Sequence, residues 1–184
     1  MSAPAAWRVW VSEQARADLL TAAAAGHPNE TGGVLVGVLG HLHGGRRRPW
    51  VTHAVQVASR RSGRTHYELP ARARERVVTK LRRHDPRLGY LGDWHSHPIN
   101  VDPSGTDANS IESISLTGDC QRPLLFVVRR MNGTYRVDAR QWTGASLRKL
   151  QVIDAGALPP TIAPPAHGRR PPAPKLPIIR ARGR

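Results

Sequence analysis

The chain of 184 residues contains a single cysteine, Cys120. This excludes an internal disulfide and any CxxC redox or zinc centre. Nothing in its setting, "TGDCQRP", beyond its uniqueness recommends it as a nucleophile. No apolar run approaches the eighteen residues a membrane span requires. The opening "MSAPAAWRVWVSEQ" lacks the basic flank and apolar run of a secretory signal, so a soluble cytoplasmic protein is expected. There is no HExxH, and one cysteine cannot supply the PCxxC of the zinc deaminases.

Acidic residues are also scarce, 13 against 28 lysines and arginines, for a net charge of +15. Such a balance attracts polyanions non-specifically. The excess is uneven. From Leu158 onward there is no acidic residue, while Arg169, Arg170, Lys175, Arg180, Arg182 and Arg184 carry six of the positive charges. The same stretch, "LPPTIAPPAHGRRPPAPKLPIIRARGR", holds eight of the sixteen prolines. Its composition cannot bury enough surface to offset ordering entropy. Two parts are therefore expected: a folded domain over 1–155 and a disordered or polyproline-II tail over 156–184. The tail allows weak, non-specific nucleic-acid contact. The chain shows no aromatic–basic interleaving of the base-stacking kind.

The first 155 residues are well punctuated. "SEQARADLLTAAAA" reads as a helix with Ser12 as N-cap and Gly26 as stop. "GGVLVGVLG", a nearly continuous apolar run between glycines, suits a buried central strand. "HLHGGRRR" turns into a second strand, "WVTHAVQVAS", and "PARARERVVTKLRRHD" opens on a proline as helices often do. "LGYLGDWH" is a strand, "TDANSIESISL" a short helix, and "PLLFVVRRMNGTYRVDARQW" a hairpin turning on Asn132-Gly133. The expected fold class is α/β (α+β), a mixed central sheet flanked by helices.

The chemistry concentrates in "GDWHSHPINVDPSGTD", residues 92–107. Strand periodicity puts His95 and His97 on one side of the chain. Asp107 follows at the start of a helix. Two imidazoles and one carboxylate form a standard catalytic zinc set with a position left for water. Plainer readings compete. A second HxH, "HLH" at 41–43, sits among Arg46, Arg47 and Arg48 with no carboxylate near, and reads as a polar turn. Ser104 and Asp107 also have the spacing of a capping box. Asp102 suits a loop-shaping or solvated acid. Asp93, sharing parity with His95, could hold an imidazole or face solvent. Trp94 suits the core. Upstream, Glu30 is the only acid between Asp18 and Glu68, and it stands directly before the apolar strand. A carboxylate there is costly without a partner or a task. A hydrolytic metal needs one to move a proton; the alternative is a solvated loop acid.

Together, "ETGGVLVG", "GDWHSHP" and "PSGTD" resemble the JAMM (JAB/MPN) zinc metalloproteases, and among them the prokaryotic JAB-type proteins. The loop "PINVDP" is one residue shorter than the family's common spacing. The resemblance implies a JAB/MPN-like, cytidine-deaminase-like architecture. It implies one Zn²⁺ per chain held by His95, His97 and Asp107, Glu30 as general base and proton shuttle, and Ser104 as hydrogen-bond donor to the oxyanion. It further implies hydrolysis of a peptide or isopeptide bond after the C-terminal glycine of a ubiquitin-like protein, by deconjugation or precursor processing. An E1-like enzyme would be a partner in a bacterial ubiquitin-like or antiviral pathway. Alternatives are C-terminal processing of a sulfur-carrier protein and a non-catalytic scaffold. "SRRSGRTHYEL" is a candidate substrate-clamping loop.

Overall fold

The computed structural model describes residues 7–41, 47–118 and 120–156. From residue 157 on, the expected tail lies outside the described residues, as does the body of the expected turn, 42–46. The elements are β1 (Arg8–Ser12), α1 (Glu13–Gly26), β2 (Gly32–His41), β3 (Arg47–Gln56), α2 (Ala73–Arg82), β4 (Gly89–His97), α3 (Gly105–Thr117), β5 (Leu124–Met131), β6 (Thr134–Trp142), β7 (Leu147–Lys149) and β8 (Gln151–Ala155). They build the mixed sheet expected, in the order β7-β6-β5-β4-β2-β3-β1-β8.

The sheet's two edge strands, β7 and β8, are separated in sequence by Leu150 alone. There the Leu150 N–H donates to the Ala139 carbonyl at 2.8 Å, and the Gln151 N–H donates to the Trp7 carbonyl at 2.8 Å. One short segment thus bonds to both edges, so the sheet must curl. Curling leaves few strand groups unpaired at its edges. Helix α1 packs against the concave face. Its Ala15, Leu19, Ala22 and Ala23 are buried with Leu35, Trp94, Phe126 and Val128. The cap expected at Ser12 is present, with its hydroxyl accepting the Ala15 N–H at 3.1 Å.

Helices α2 and α3 cover the opposite face. Val77, Val78 and Leu81 of α2 lie against Val34, Val36 and Val38. Ile111 and Ile114 of α3 pack with Leu125, Val127 and Trp142. Strand β2 is covered on both faces, which is why its run is apolar without alternation. A Cβ on Gly33 would lie 1.9 Å from the Val55 carbonyl oxygen, so β2 and β3 approach closely only because that position has no side chain.

One expectation shifts. Helix α2 begins at Ala73, not at the proline, because Arg72 takes a left-handed conformation (φ 58°) with no side-chain cap. Strand β4 pairs parallel with β5 and antiparallel with β2, where Gly32 faces His95. This pairing brings the start of β2 beside the end of β4.

Candidate metal centre

His95 and His97 end β4 on the face covered by α2 and α3, both buried. Their Nε2 atoms are 3.0 Å apart. The Nδ1 of His97 lies 3.1 Å from the Val101 carbonyl. That nitrogen therefore carries the hydrogen, and the Nε2 lone pair is left facing His95.

Asp107 arrives from the other side. Ser104 is the N-cap of α3, and the capping box is fully formed. Asp107 Oδ2 accepts from the Ser104 N–H at 2.6 Å and from its hydroxyl at 2.8 Å, and the Ser104 oxygen in turn accepts the Asp107 N–H at 3.2 Å. With Oδ2 so held, Oδ1 stands 3.4 Å from His95 Nε2. Capping and metal-site readings of this pair are therefore compatible, since the cap aims the carboxylate.

Glu30 completes the group. One carboxylate oxygen and the two imidazole nitrogens lie within 4.8 Å of one another. Its backbone is fixed from two directions. The Glu30 N–H donates to the Gly63 carbonyl at 2.6 Å, and the Ser62 hydroxyl donates to the Glu30 carbonyl at 2.5 Å. On the other side, Ser96 clamps the next residue. Its hydroxyl accepts the Thr31 N–H at 2.9 Å, and its own N–H donates to the Thr31 carbonyl at 2.7 Å. The serine between the two histidines thus points away from them and ties Glu30 to their strand. Strand parity is the sequence signal that could have revealed this role.

The electrostatics suit a cation. Burial, and then the nearby Asp107 carboxylate, push the Glu30 carboxyl up to about 7. Burial, partly countered by Asp107 and reinforced by His97, pushes the His95 imidazole down to about 4. Near neutral pH the His95 ring is neutral, as a metal ligand must be, while Glu30 is poised to gain or lose a proton. Ligand atoms around a tetrahedral zinc with bonds of about 2.0–2.1 Å stand roughly 3.3 Å apart. The 3.0 Å and 3.4 Å separations among His97, His95 and Asp107 are close to that spacing. The donor set fits a divalent ion such as zinc.

The cluster lies at the floor of an open groove of about 530 Å³. One wall is Arg64–Tyr67, from the loop singled out as a possible clamp; the other is the stretch from Pro98 to Ser104, with Ile99 and Val101 exposed. A second groove of about 440 Å³ between α1 and β6, lined by Arg16, Leu20, Tyr135, Arg136, Val137 and Val152, has no metal-ligating side chain. Cys120 packs beside the α3 cluster and lines neither groove.

Two nearby acids have structural partners. Asp102 accepts from Arg129 at 2.9 Å and Arg140 at 3.1 Å, both of which also reach the buried Asp138, so it shapes the loop. Asp93 neither holds an imidazole nor faces solvent freely. It binds Arg74 of α2 at 2.6 Å and the Tyr90 hydroxyl at 2.9 Å. Its parity with His95 was legible, but its partner, nineteen residues away on α2, was not. Trp94 is buried in the core as expected.

Comparison with known proteins gives the same outline. A family model described as prokaryotic homologs of the JAB domain matches residues 12–143. The solution structure of protein DSY2949 from Desulfitobacterium hafniense superposes with a TM-score of 0.63 at 17% identity, covering 82% of this chain and 94% of that one. At that identity the likeness concerns the fold alone. No curated protein matches the chain. No helix among the described residues is long and apolar enough to cross a membrane.

Proposed function

Because the chain belongs to the prokaryotic JAB-domain family, we propose that it is a zinc-dependent peptidase or isopeptidase cleaving after the C-terminal glycine of a ubiquitin-like protein. The observation that carries this reading is the convergence of two imidazole nitrogens 3.0 Å apart, a carboxylate 3.4 Å from one of them, and a Glu30 carboxyl held at about 7. His95, His97 and Asp107 would hold one zinc ion, which supplies the Lewis acidity that activates a water and polarises the scissile carbonyl.

The protein's own groups do the rest. Glu30 takes a proton from the attacking water as its oxygen bonds to the carbonyl carbon. It then delivers that proton to the leaving nitrogen as the C–N bond breaks. A carboxyl held at about 7 suits both halves of that transfer at neutral pH. Ser104 lies on the groove wall, and its hydroxyl now rests on Asp107 Oδ2 at 2.8 Å. Turning that hydroxyl to the developing oxyanion leaves Asp107 still held by the Ser104 N–H at 2.6 Å. The substrate's chain terminus would lie in the groove between Arg64–Tyr67 and Pro98–Ser104. An E1-like partner and a place in a bacterial ubiquitin-like or antiviral pathway belong to the same proposal, as does action in the cytoplasm.

The test is cleavage by the zinc-reconstituted full chain of a panel of C-terminal fusions and isopeptide conjugates of ubiquitin-like and sulfur-carrier proteins, read by mass spectrometry. Cleavage directly after the terminal glycine, absent in Glu30→Gln, is the expected result. Cleavage confined to sulfur-carrier precursors would move the assignment to carrier maturation. A zinc-loaded protein that cleaves none of them would favour a scaffold.

A further inference from the structure

Most arginines of the folded part whose side chains approach an acid are paired: Arg16 with Asp154, Arg61 with Glu68, Arg74 with Asp93, Arg87 with Asp85, and Arg129 and Arg140 with Asp102 and Asp138. Among the cations that form no ion pair among the described residues, four fall in register on one helix, Arg72, Arg76, Lys80 and Arg83 of α2 and its caps, and a fifth, Arg64, lies on the loop that precedes it. All five are exposed. Arg64 lines the groove over Glu30 and the histidines. Arg72, Arg76 and Lys80 follow at spacings of four along the outer face of α2, and Arg83 ends it. At 1.5 Å per residue this stripe is roughly 16 Å long.

The arrangement works against the helix that carries it. Like charges four apart repel. Cations at a helix N-terminus oppose its dipole, and Arg72 occupies the N-cap in a left-handed conformation without offering a cap. The dipole opposes only Arg72 and Arg76, near the N-terminus; it favours Lys80 and Arg83 at the other end. What works against the helix is the repulsion between like charges four apart, which gives the stripe the character of a surface kept for a partner.

We propose that Arg64 and the Arg72–Arg76–Lys80–Arg83 stripe form a docking track for an acidic protein surface, that of the substrate whose C-terminus enters the groove. This rests on the peptidase reading for the identity of the partner. Two observations favour a protein over a nucleic acid. Arg64, at one end of the track, lines the groove proposed to take a chain end, and the exposed face of α2 carries no aromatic side chain on which a base could stack. Charges around a docking site act chiefly on encounter rate and orientation, so the track would set association and its salt dependence.

The probes are a fluorescein-labelled, glutamate-rich twelve-residue peptide ending in Gly-Gly, its glutamine counterpart, and a twelve-base-pair DNA duplex. Each is titrated against the full chain by anisotropy at low and high salt. Arg76→Glu/Lys80→Glu is compared with Arg122→Glu/Arg136→Glu, which removes the same charge from exposed positions off the track. The expected result is about a tenfold loss of acidic-peptide affinity in the track variant, less than about twofold in the control, and convergence of all forms at high salt. In the single variant Arg76→Glu the new carboxylate sits one helical turn from both Arg72 and Lys80, where opposite charges attract. That variant is therefore expected to melt no lower than the wild type and still bind more weakly; loss of binding without loss of stability excludes unfolding. Equal losses in track and control variants would overturn the proposal in favour of net charge alone. A track variant that loses duplex DNA but keeps the acidic peptide would overturn it in favour of a nucleic acid. Binding does not require turnover, so a chain that binds the peptide through the track but cleaves nothing refutes the peptidase reading and leaves the surface standing.

Discussion

Replacing Glu30 by glutamine should abolish hydrolysis and, in the metal-free protein at pH 8, make the fold more stable. The reason is the position of its carboxyl, held at about 7 by burial and by Asp107 instead of at its ordinary 4.5. Between those values the unfolded chain has released its proton while the folded one keeps it. Stability therefore falls as pH rises through that window and is fully lost above about 7. A difference of that size corresponds to ~3 kcal/mol. Solvent in the open groove screens part of it, so ~2 kcal/mol is the expected gain on substitution. For a domain of this length that is roughly 4–8 °C in melting temperature. The assay is thermal unfolding of both proteins in a chelator at pH 8 and pH 5. The glutamine variant should melt higher at pH 8, and the gap should shrink to under ~1 kcal/mol at pH 5, where the wild-type carboxyl is protonated in the fold. Excess zinc should also close it, because a cation offsets the carboxylate. A variant that melts at or below the wild type at pH 8, or a gap independent of pH, would show that the folded Glu30 carboxyl is not raised.

Three other outcomes follow from the same structure. His95, pushed down to about 4 by burial, refuses a proton that the unfolded chain accepts from pH 6.5 downward. The metal-free wild type should thus lose up to ~3 kcal/mol between those values in urea titrations, and His95→Gln distinctly less. Asp138→Asn removes the buried carboxylate shared by Arg129 and Arg140. It should cost ~3–5 kcal/mol in chemical denaturation, whereas a loss under ~1 kcal/mol would show that Asp102 suffices for both guanidinia. Gly33→Ala places a Cβ 1.9 Å from the Val55 carbonyl and must push β2 from β3. A fall of more than ~3 kcal/mol is expected, and an unchanged melting temperature would contradict the described strand register.

What the sequence revealed and what it hid follow from how local each signal is. His95, His97 and Asp107 lie within thirteen residues, on one strand end and the first turn of the next helix. Their convergence needed only strand periodicity and a capping pattern. Glu30 stood out because a carboxylate ahead of a doubly covered strand requires a reason. The two-residue turn at Asn132-Gly133 was legible because both residues take positive φ, 49° and 81°. Strands β1, β7 and β8 were hidden. They are five, three and five residues long, and pairing across the sheet defines them more than any pattern of their own. Pro70 offers a helix-start signal that the left-handed Arg72 overrides, so α2 begins three residues later, at Ala73. The clamp on Glu30 from Ser62 and Gly63 depends on contacts more than thirty residues apart, which no local pattern announces.

The proposed metal centre requires that His95, His97 and Asp107 hold one zinc ion. Metal content by mass spectrometry, on full-length protein purified without a histidine tag and reconstituted with zinc, tests it most directly. Close to one zinc per chain is expected in the wild type, with near-complete loss in His97→Ala and Asp107→Ala. A wild type that retains no zinc, or a His97→Ala variant that retains as much as the wild type, would contradict it.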